Sequence, residues 1–379
     1  MQMPYSTYRF ILITISIILC VNTGCNDDPI VEIPMEGHAV IDLTDISYEP
    51  TPFEVPSIPD FLPLISPEDN PLTEQGIQLG RHLFYDPILS IDSTISCASC
   101  HTTGLAFTDA RALSPGVDGA IGKRSSMSLV NIGYNYRGLF WDGRVRTLEE
   151  QVLIPIEDPV EMAHTFTGLI PDLQQHESYP QMFRAAFGIN NTNEITEELI
   201  AKAIAQFERI LISGPNSKYD RAINDNTAAL TPLEQHGFDL FVDAGDGDAV
   251  DAECSHCHHG GLFMGDLFFN NGIDDTTNPD NLLDQGRGAI TGYPIDMGKF
   301  KSPTLRNIEL TAPYMHDGRF ATLEEVIEHY NSGGHPAPNL DQNIRPLGLS
   351  DYDKEALIAF LHTLTDTTYI YPDMVSNPH

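Results

Sequence analysis

Basic residues are scarce in this chain: 20 Lys and Arg stand against 54 Asp and Glu, a net charge of −34. Such a surface repels phosphate backbones and anionic lipid, which argues against nucleic-acid binding and favours a basic protein partner. Long apolar runs are lacking too. The run from Phe10 to Val21 is too short for a bilayer core of roughly 30 Å, so a multi-span membrane protein is excluded, as are collagen-like and coiled-coil classes. No stretch alternates apolar and polar residues for long enough to suggest a sheet. Tryptophan occurs once, as Trp141. What is present is a hydrophobic content of 41% with 18 Phe and 14 Tyr, enough to build cores, and a length of 379 residues that favours two domains.

The chain begins with a single basic residue, Arg9, ahead of that short apolar run, the pattern of a secretory signal. Thr23-Gly24-Cys25 follows and resembles a bacterial lipoprotein cleavage site, although Asn22 stands where Leu is usual. Two expectations result: a periplasmic lipoprotein anchored through Cys25, or a soluble periplasmic protein cut near the same place. From 26 to 62 the stretch is rich in proline (Pro29, Pro34, Pro50, Pro52, Pro56, Pro59) and reads as a tether or a strap on the folded body. Beyond it the chain reads as all-α, helices joined by loops rich in Gly, Asn and Asp. Leu199, Ile200, Ala203, Ile204, Phe207 and Leu211 form one helical stripe between Thr196 and Ile212.

Besides Cys20 and Cys25, the cysteines fall as Cys97-Ala98-Ser99-Cys100-His101 and Cys254-Ser255-His256-Cys257-His258. A lone C-x-x-C could be a redox pair or half a zinc site. The histidine that follows each pair points instead to covalent c-type haem, with His101 and His258 as the proximal iron ligands. One zinc ion shared by both pairs is the alternative, and it leaves both histidines without a role.

The halves repeat. Ser128-Leu129-Val130-Asn131-Ile132, Asp142-Gly143-Arg144 and Thr147-Leu148-Glu149-Glu150 recur as Thr304-Leu305-Arg306-Asn307-Ile308, Asp317-Gly318-Arg319 and Thr322-Leu323-Glu324-Glu325. This predicts an internal duplication of one cytochrome c-like haem domain, over 63–225 and 226–379. Thr147 with Glu150, and Thr322 with Glu325, fit a capping box, so a helix is predicted to start at each threonine. Equivalent places after these boxes hold Pro155 and Tyr330. Proline cannot ligate iron and tyrosinate can, so the first haem is expected to keep an open face and the second to be closed by Tyr330, Met315 or Met297.

With Phe140-Trp141-Asp142-Gly143-Arg144, Pro159-Val160-Glu161-Met162 and Leu310-Thr311-Ala312-Pro313-Tyr314-Met315-His316 in order, the stretch from Pro63 to Thr365 resembles the bacterial di-haem cytochrome c peroxidases. These include the relative from methylamine utilisation that oxidises a partner protein. The resemblance implies two covalently bound haems, the N-terminal one peroxidatic and the C-terminal one receiving electrons, with a calcium ion between them. It implies Trp141 as the electron conduit, Glu161 as the distal acid and base, and Gln151 as the distal amide. The carbonyls of Thr311 and Pro313 match calcium ligands, and Ser125 stands where relatives place an Asn. Val117 occupies the position of a locking histidine, so no reductive unlocking is expected. Tyr330 replaces the usual Met, a feature of the methylamine branch.

The expected activity is reduction of hydrogen peroxide with electrons from a small basic cytochrome c or cupredoxin. The alternative within the same fold stores two oxidising equivalents across both haems and withdraws electrons from a partner protein's side chains. A pure electron-transfer or haem-storage role is the third reading, against which Val117, Pro155 and Glu161 speak. Monomer and homodimer both remain open.

Overall fold

The computed structural model describes residues 39–242 and 251–379. The signal-like segment, Cys20, Cys25 and the first part of the proline-rich stretch lie outside the described residues. No helix among the described residues is long and apolar enough to cross a membrane.

The first half carries α1 (Glu74–Tyr85), α2 (Cys97–Cys100), α3 (Leu148–Glu157), α4 (Phe166–Gln175), α5 (Tyr179–Phe187) and α6 (Glu197–Arg209). The second carries α7 (Lys218–Ile223), α8 (Pro232–Val242), α9 (Arg287–Thr291), α10 (Leu323–Ser332) and α11 (Asp351–His362). The fold is mostly helical, as the sequence predicts. One departure is a pair of two-residue strands, β1 (Phe268–Phe269) and β2 (Phe300–Lys301), antiparallel with Phe268 opposite Lys301. Strands of two residues leave no alternation to read.

Local chemistry sets the helix starts. Thr147 and Thr322 each cap their helix, and Glu150 and Glu325 reach back to the cap N–H groups, so both predicted capping boxes form. Thr196 caps α6 in the same sense. That helix stops at Arg209, because Ile210 leaves helical geometry at φ −94° and ψ 2°. Leu211, counted in the predicted stripe, therefore lies past the helix, where its carbonyl accepts the Asn131 N–H at 2.8 Å.

Each half is organised around one helix crossing, α1 on α6 and α8 on α11. At the first crossing a Cβ on Gly80 would strike the Ala203 carbonyl, and at the second a Cβ on Gly237 would strike the Ala356 carbonyl. The close approach admits only glycine at both places. Two hydrophobic cores result, one built from Leu79, Leu83, Phe84, Ile204 and Phe207 with their neighbours, the other from Leu240, Phe241, Phe263, Leu357 and Phe360.

Val40–His379 nevertheless forms one compact unit. The described part of the proline-rich stretch lies along the first half, with Leu43 donating to the Asn190 carbonyl and Phe53 to the Leu72 carbonyl. The C-terminal tail crosses back to the same half. Tyr369 and Val375 are buried in the first core, and the Tyr369 hydroxyl donates to the Thr103 carbonyl at 3.1 Å. The boundary drawn in the sequence assigns these tail residues to the second half, but their contacts are with the first.

Candidate functional site

The two C-x-x-C-H segments are built alike. Cys97 and Cys100 span the single turn of α2, and Cys254 and Cys257 span a single 3-10 turn. All four are free thiols. Burial pushes Cys254 and Cys257 up to about 12, Cys100 up to about 11 and Cys97 higher still, which disfavours the thiolate form. Each following histidine is held through Nδ1: His101 donates to the Phe107 carbonyl at 2.8 Å, and His258 to the Pro303 carbonyl at 3.0 Å. That bond fixes the tautomer and leaves Nε2 as the nitrogen able to ligate a metal. Burial lowers both imidazoles, His258 to about 4, which keeps the neutral ligand form. Ser126 and Ser302 complete the match, each donating to the carbonyl of its second cysteine at 2.7 Å.

The second segment opens onto a cavity of about 250 Å³ lined by Cys254, Cys257, His258, Leu323, Ile327 and Tyr330. Tyr330 lies on α10 and is pushed up to about 12 by burial, opposed by an N–H from Asn271 at 3.2 Å. Met315 Sδ lies 3.5 Å from the same Asn271 nitrogen. Met297 does not join them; it packs against Gly288, away from this cavity. Of the three residues the sequence offers for the second axial place, the structure thus gathers Tyr330 and Met315 and leaves Met297 outside.

The first segment faces a different set. The chain after α3 folds back so that Met162 donates to the Pro155 carbonyl at 3.2 Å, and Val117 donates to the Glu161 carbonyl at 2.8 Å. A Cβ on Gly116 would strike the Val160 carbonyl, so that loop lies flat against the Glu161 backbone. Backbone bonds through Glu161 and Met162 therefore tie the Val117 loop to the end of α3 at Pro155. The Glu161 side chain reaches solvent, yet surrounding protein atoms raise its carboxyl above the usual glutamate range. The Asp158 charge adds to the rise and Arg144 opposes it. Its charge in turn raises the thiols of Cys97 and Cys100. Gln151 lies one turn before Pro155 on α3, and its buried Oε1 has no hydrogen-bond partner among the described residues.

Trp141 stands between the halves. Its Nε1 donates to the Ser125 carbonyl at 3.0 Å, and its own carbonyl accepts the Lys301 N–H at 2.8 Å. Beside it Arg124 pairs with Asp142 and with Asp284, both at 2.6 Å. Ser125, Thr311 and Pro313 line the same cavity as Trp141, but the Ser125 hydroxyl already donates to the Met315 carbonyl at 2.8 Å. No cluster of three or more His, Cys, Asp or Glu that could hold a metal ion occurs among the described residues.

The sequence reading missed Lys301, Asn271 and Glu208. Lys301 is buried on the cavity wall with its ammonium unpartnered among the described residues, and burial lowers it to about 8. Glu208 on α6 is buried near Cys97 and pushed up to about 8. The matched Ser126 and Ser302 extend the repeat two residues before its first visible letter, a signal that leads straight to Lys301. Asn271 has no counterpart that the repeat could expose.

The residues fit a c-type haem at both places: paired free thiols, an adjacent imidazole with its outer nitrogen tied, and, at the second, an apolar cavity with an unanswered buried cation. When bound, such haems would be held by Cys97, Cys100 and His101 and by Cys254, Cys257 and His258.

A family model described as di-haem cytochrome c peroxidase matches residues 74–228. The methylamine utilization protein MauG of Methylorubrum extorquens is 33% identical over 298 residues, covering 79% of this chain and 80% of its own. Cytochrome c551 peroxidase of Nitrosomonas europaea is 37% identical over 267 residues, 70% of this chain and 74% of its own. Among solved structures, a MauG-like protein associated with microbial copper homeostasis superposes with a TM-score of 0.77 at 36% identity, covering 86% of this chain and 99% of that one. The chain belongs to the di-haem cytochrome c peroxidase family, haem-dependent oxidoreductases whose membership implies two c-type haems.

Proposed function

We propose that this chain is an exported peroxidase that reduces hydrogen peroxide to two waters, taking two electrons from a small basic cytochrome c or cupredoxin and two protons from water. The observation that carries this reading is the backbone tie of the Glu161 segment to Val117 and Pro155, with the Glu161 carboxyl held above its usual range. When bound there, the haem would supply the iron and electrons that split the O–O bond. Glu161 supplies the proton transfer: its carboxylate takes a proton from the nearer peroxide oxygen and returns it to the departing one. Neither Val117 nor Pro155 offers a strong ligand, so substrate reaches this face without a prior reductive step. The unpartnered Gln151 oxygen accepts a hydrogen bond from the peroxide and orients it.

On this reading 63–225 carries the peroxidatic haem and 226–379 the electron-receiving one. Trp141, bonded to both halves, carries electrons between them. Ser125 with the carbonyls of Thr311 and Pro313 would hold a calcium ion. Cys25 would carry the lipid of a periplasmic lipoprotein. The net charge of −34 draws in a basic donor.

A second reading is favoured by Tyr330. An anionic oxygen ligand lowers a haem's potential and disfavours acceptance of electrons from an ordinary donor. That property suits an enzyme that holds oxidising equivalents on both haems and withdraws electrons from a partner protein through Trp141. Rapid mixing with peroxide, with and without a reduced cytochrome, separates the readings. Fast donor oxidation supports the first, a long-lived oxidised state with slow donor turnover the second, and no reaction with peroxide contradicts both.

A further inference from the structure

Asn271 lies just after β1, and its backbone is clamped to the helix that carries Tyr330. The Asn271 carbonyl accepts the Nε2–H of His329, the residue before Tyr330, at 2.9 Å, and the Gly272 carbonyl accepts the His335 N–H at 2.7 Å. Asn270 stiffens the turn, its Oδ1 accepting the Gly272 N–H at 3.0 Å and its Nδ2 donating to Asn339 at 2.9 Å. The side chain that results is fixed in place. Its nitrogen lies 3.5 Å from Met315 Sδ and 3.2 Å from the Tyr330 hydroxyl.

A thioether can only accept, so the group facing Met315 must be the NH₂ and not the carbonyl oxygen of the amide. Its two hydrogens then serve two acceptors, the sulfur and the phenol oxygen. Because the phenol oxygen receives a hydrogen bond from Asn271, the O–H of Tyr330 cannot point there. Tyr330 and His258 both line the same cavity.

We propose that Asn271 is a positioning residue for the C-terminal haem: its amide aims the Tyr330 oxygen at the iron, tunes that ligand, and occupies the Met315 sulfur so that it stays off. The inference rests on Tyr330 as the axial ligand. With a haem bound, Tyr330 would hold its iron as the phenolate, its proton released to water. The retained Asn271 N–H then draws electron density from the bound oxygen and makes the haem easier to reduce than an unassisted phenolate would. Hydrogen bonds to charged groups contribute about 1.5–3 kcal/mol, which corresponds to roughly tenfold or more in an equilibrium constant.

The test uses the two-haem protein and reads the reduction equilibrium of the C-terminal haem by spectroelectrochemistry, with its phenolate-to-iron absorption band as the second readout. Asn271→Leu should shift that equilibrium about tenfold toward the ferric form, 59 mV for a one-electron couple, and move the band to longer wavelength. The N-terminal haem's spectrum should not change. Asn271→Ser, smaller and without the amide, should move both readouts the same way, and it serves if the Leu variant loses haem. In a Tyr330→Met background Asn271→Leu should have no such effect. If Tyr330→Met alters the C-terminal spectrum while both Asn271 variants leave potential and band unmoved, the role of Asn271 is wrong and the ligand assignment stands. If Tyr330→Met leaves that spectrum as it was, or Met315→Leu abolishes it, the ligand assignment and the inference fall together.

Discussion

The two haem segments agree on one side and differ on the other. Behind each iron place the chain repeats itself to within a few tenths of an ångström: His Nδ1 on a carbonyl at 2.8 and 3.0 Å, a serine on the second cysteine's carbonyl at 2.7 Å in both. Elsewhere they part: Val117 bonds the backbone of Glu161, whose carboxyl is held above its usual range, in the first half, whereas the second segment shares a cavity with a half-buried phenol, a thioether and the amide that touches both. Attachment demands the same thiols and imidazole wherever a c-type haem is held, so that side cannot vary. The distal side carries no such demand, and there the two halves present different residues.

The sharpest way to break this comparison is Glu161→Gln, which should slow the peroxide step by about 10²–10⁴-fold while leaving the C-terminal haem's spectrum alone. An unchanged rate in stopped-flow mixing would reduce Glu161 to a structural residue. Tyr330→Met should act on the other side alone. It should raise the C-terminal haem's potential and speed reduction by a donor cytochrome roughly tenfold or more, with little effect on peroxide binding.

The pH profile sharpens the contrast further. On the proposed mechanism Glu161 acts as the carboxylate, and its raised value means the base is lost while the pH is still above the ordinary glutamate range. The rate with peroxide should therefore fall on acidification through a limb at that raised position, and Glu161→Gln should show no such limb. A limb at an unshifted position would show that the carboxyl is not desolvated.

The smallest expected effect is one of stability. Burial pushes Glu208 to about 8, with Arg209 pulling down and Glu149 pushing up, and Arg209 is already paired to Glu149 at 3.0 Å. The folded chain keeps this proton to about pH 8, and an unfolded one releases it near ~4.3. Stability from this group is complete below the lower value and is lost as pH rises toward the higher. Glu208→Gln should thus match the parent at the acid end, near pH 4, and exceed it by a margin that grows as pH rises toward 8 in denaturant unfolding. Equal stability at both pH values would mean that Glu208 has a polar partner in the two-haem protein.

Signals that lie within one turn were legible in the sequence. The cysteine pairs, their histidines and the capping boxes at Thr147 and Thr322 are local chemistry, and both capping boxes form as read. Residues whose meaning depends on distant partners were not. Asn271 acts on Met315 and Tyr330, 44 and 59 residues away, and its own neighbours carry no motif. Lys301 reads as an ordinary surface cation until the fold buries it beside Phe268, 5.7 Å from the ring. The tail at Tyr369 shows no sign in its composition that it belongs with the first core.

The central claim is that one haem face is free for peroxide and the other is closed by protein. The electron spin resonance spectrum of the resting ferric protein at neutral pH, with no reductant added, tests it most directly. The account predicts one high-spin signal from the N-terminal haem and one low-spin signal from the C-terminal haem. Two low-spin signals would mean that a side chain closes the N-terminal face and would contradict it.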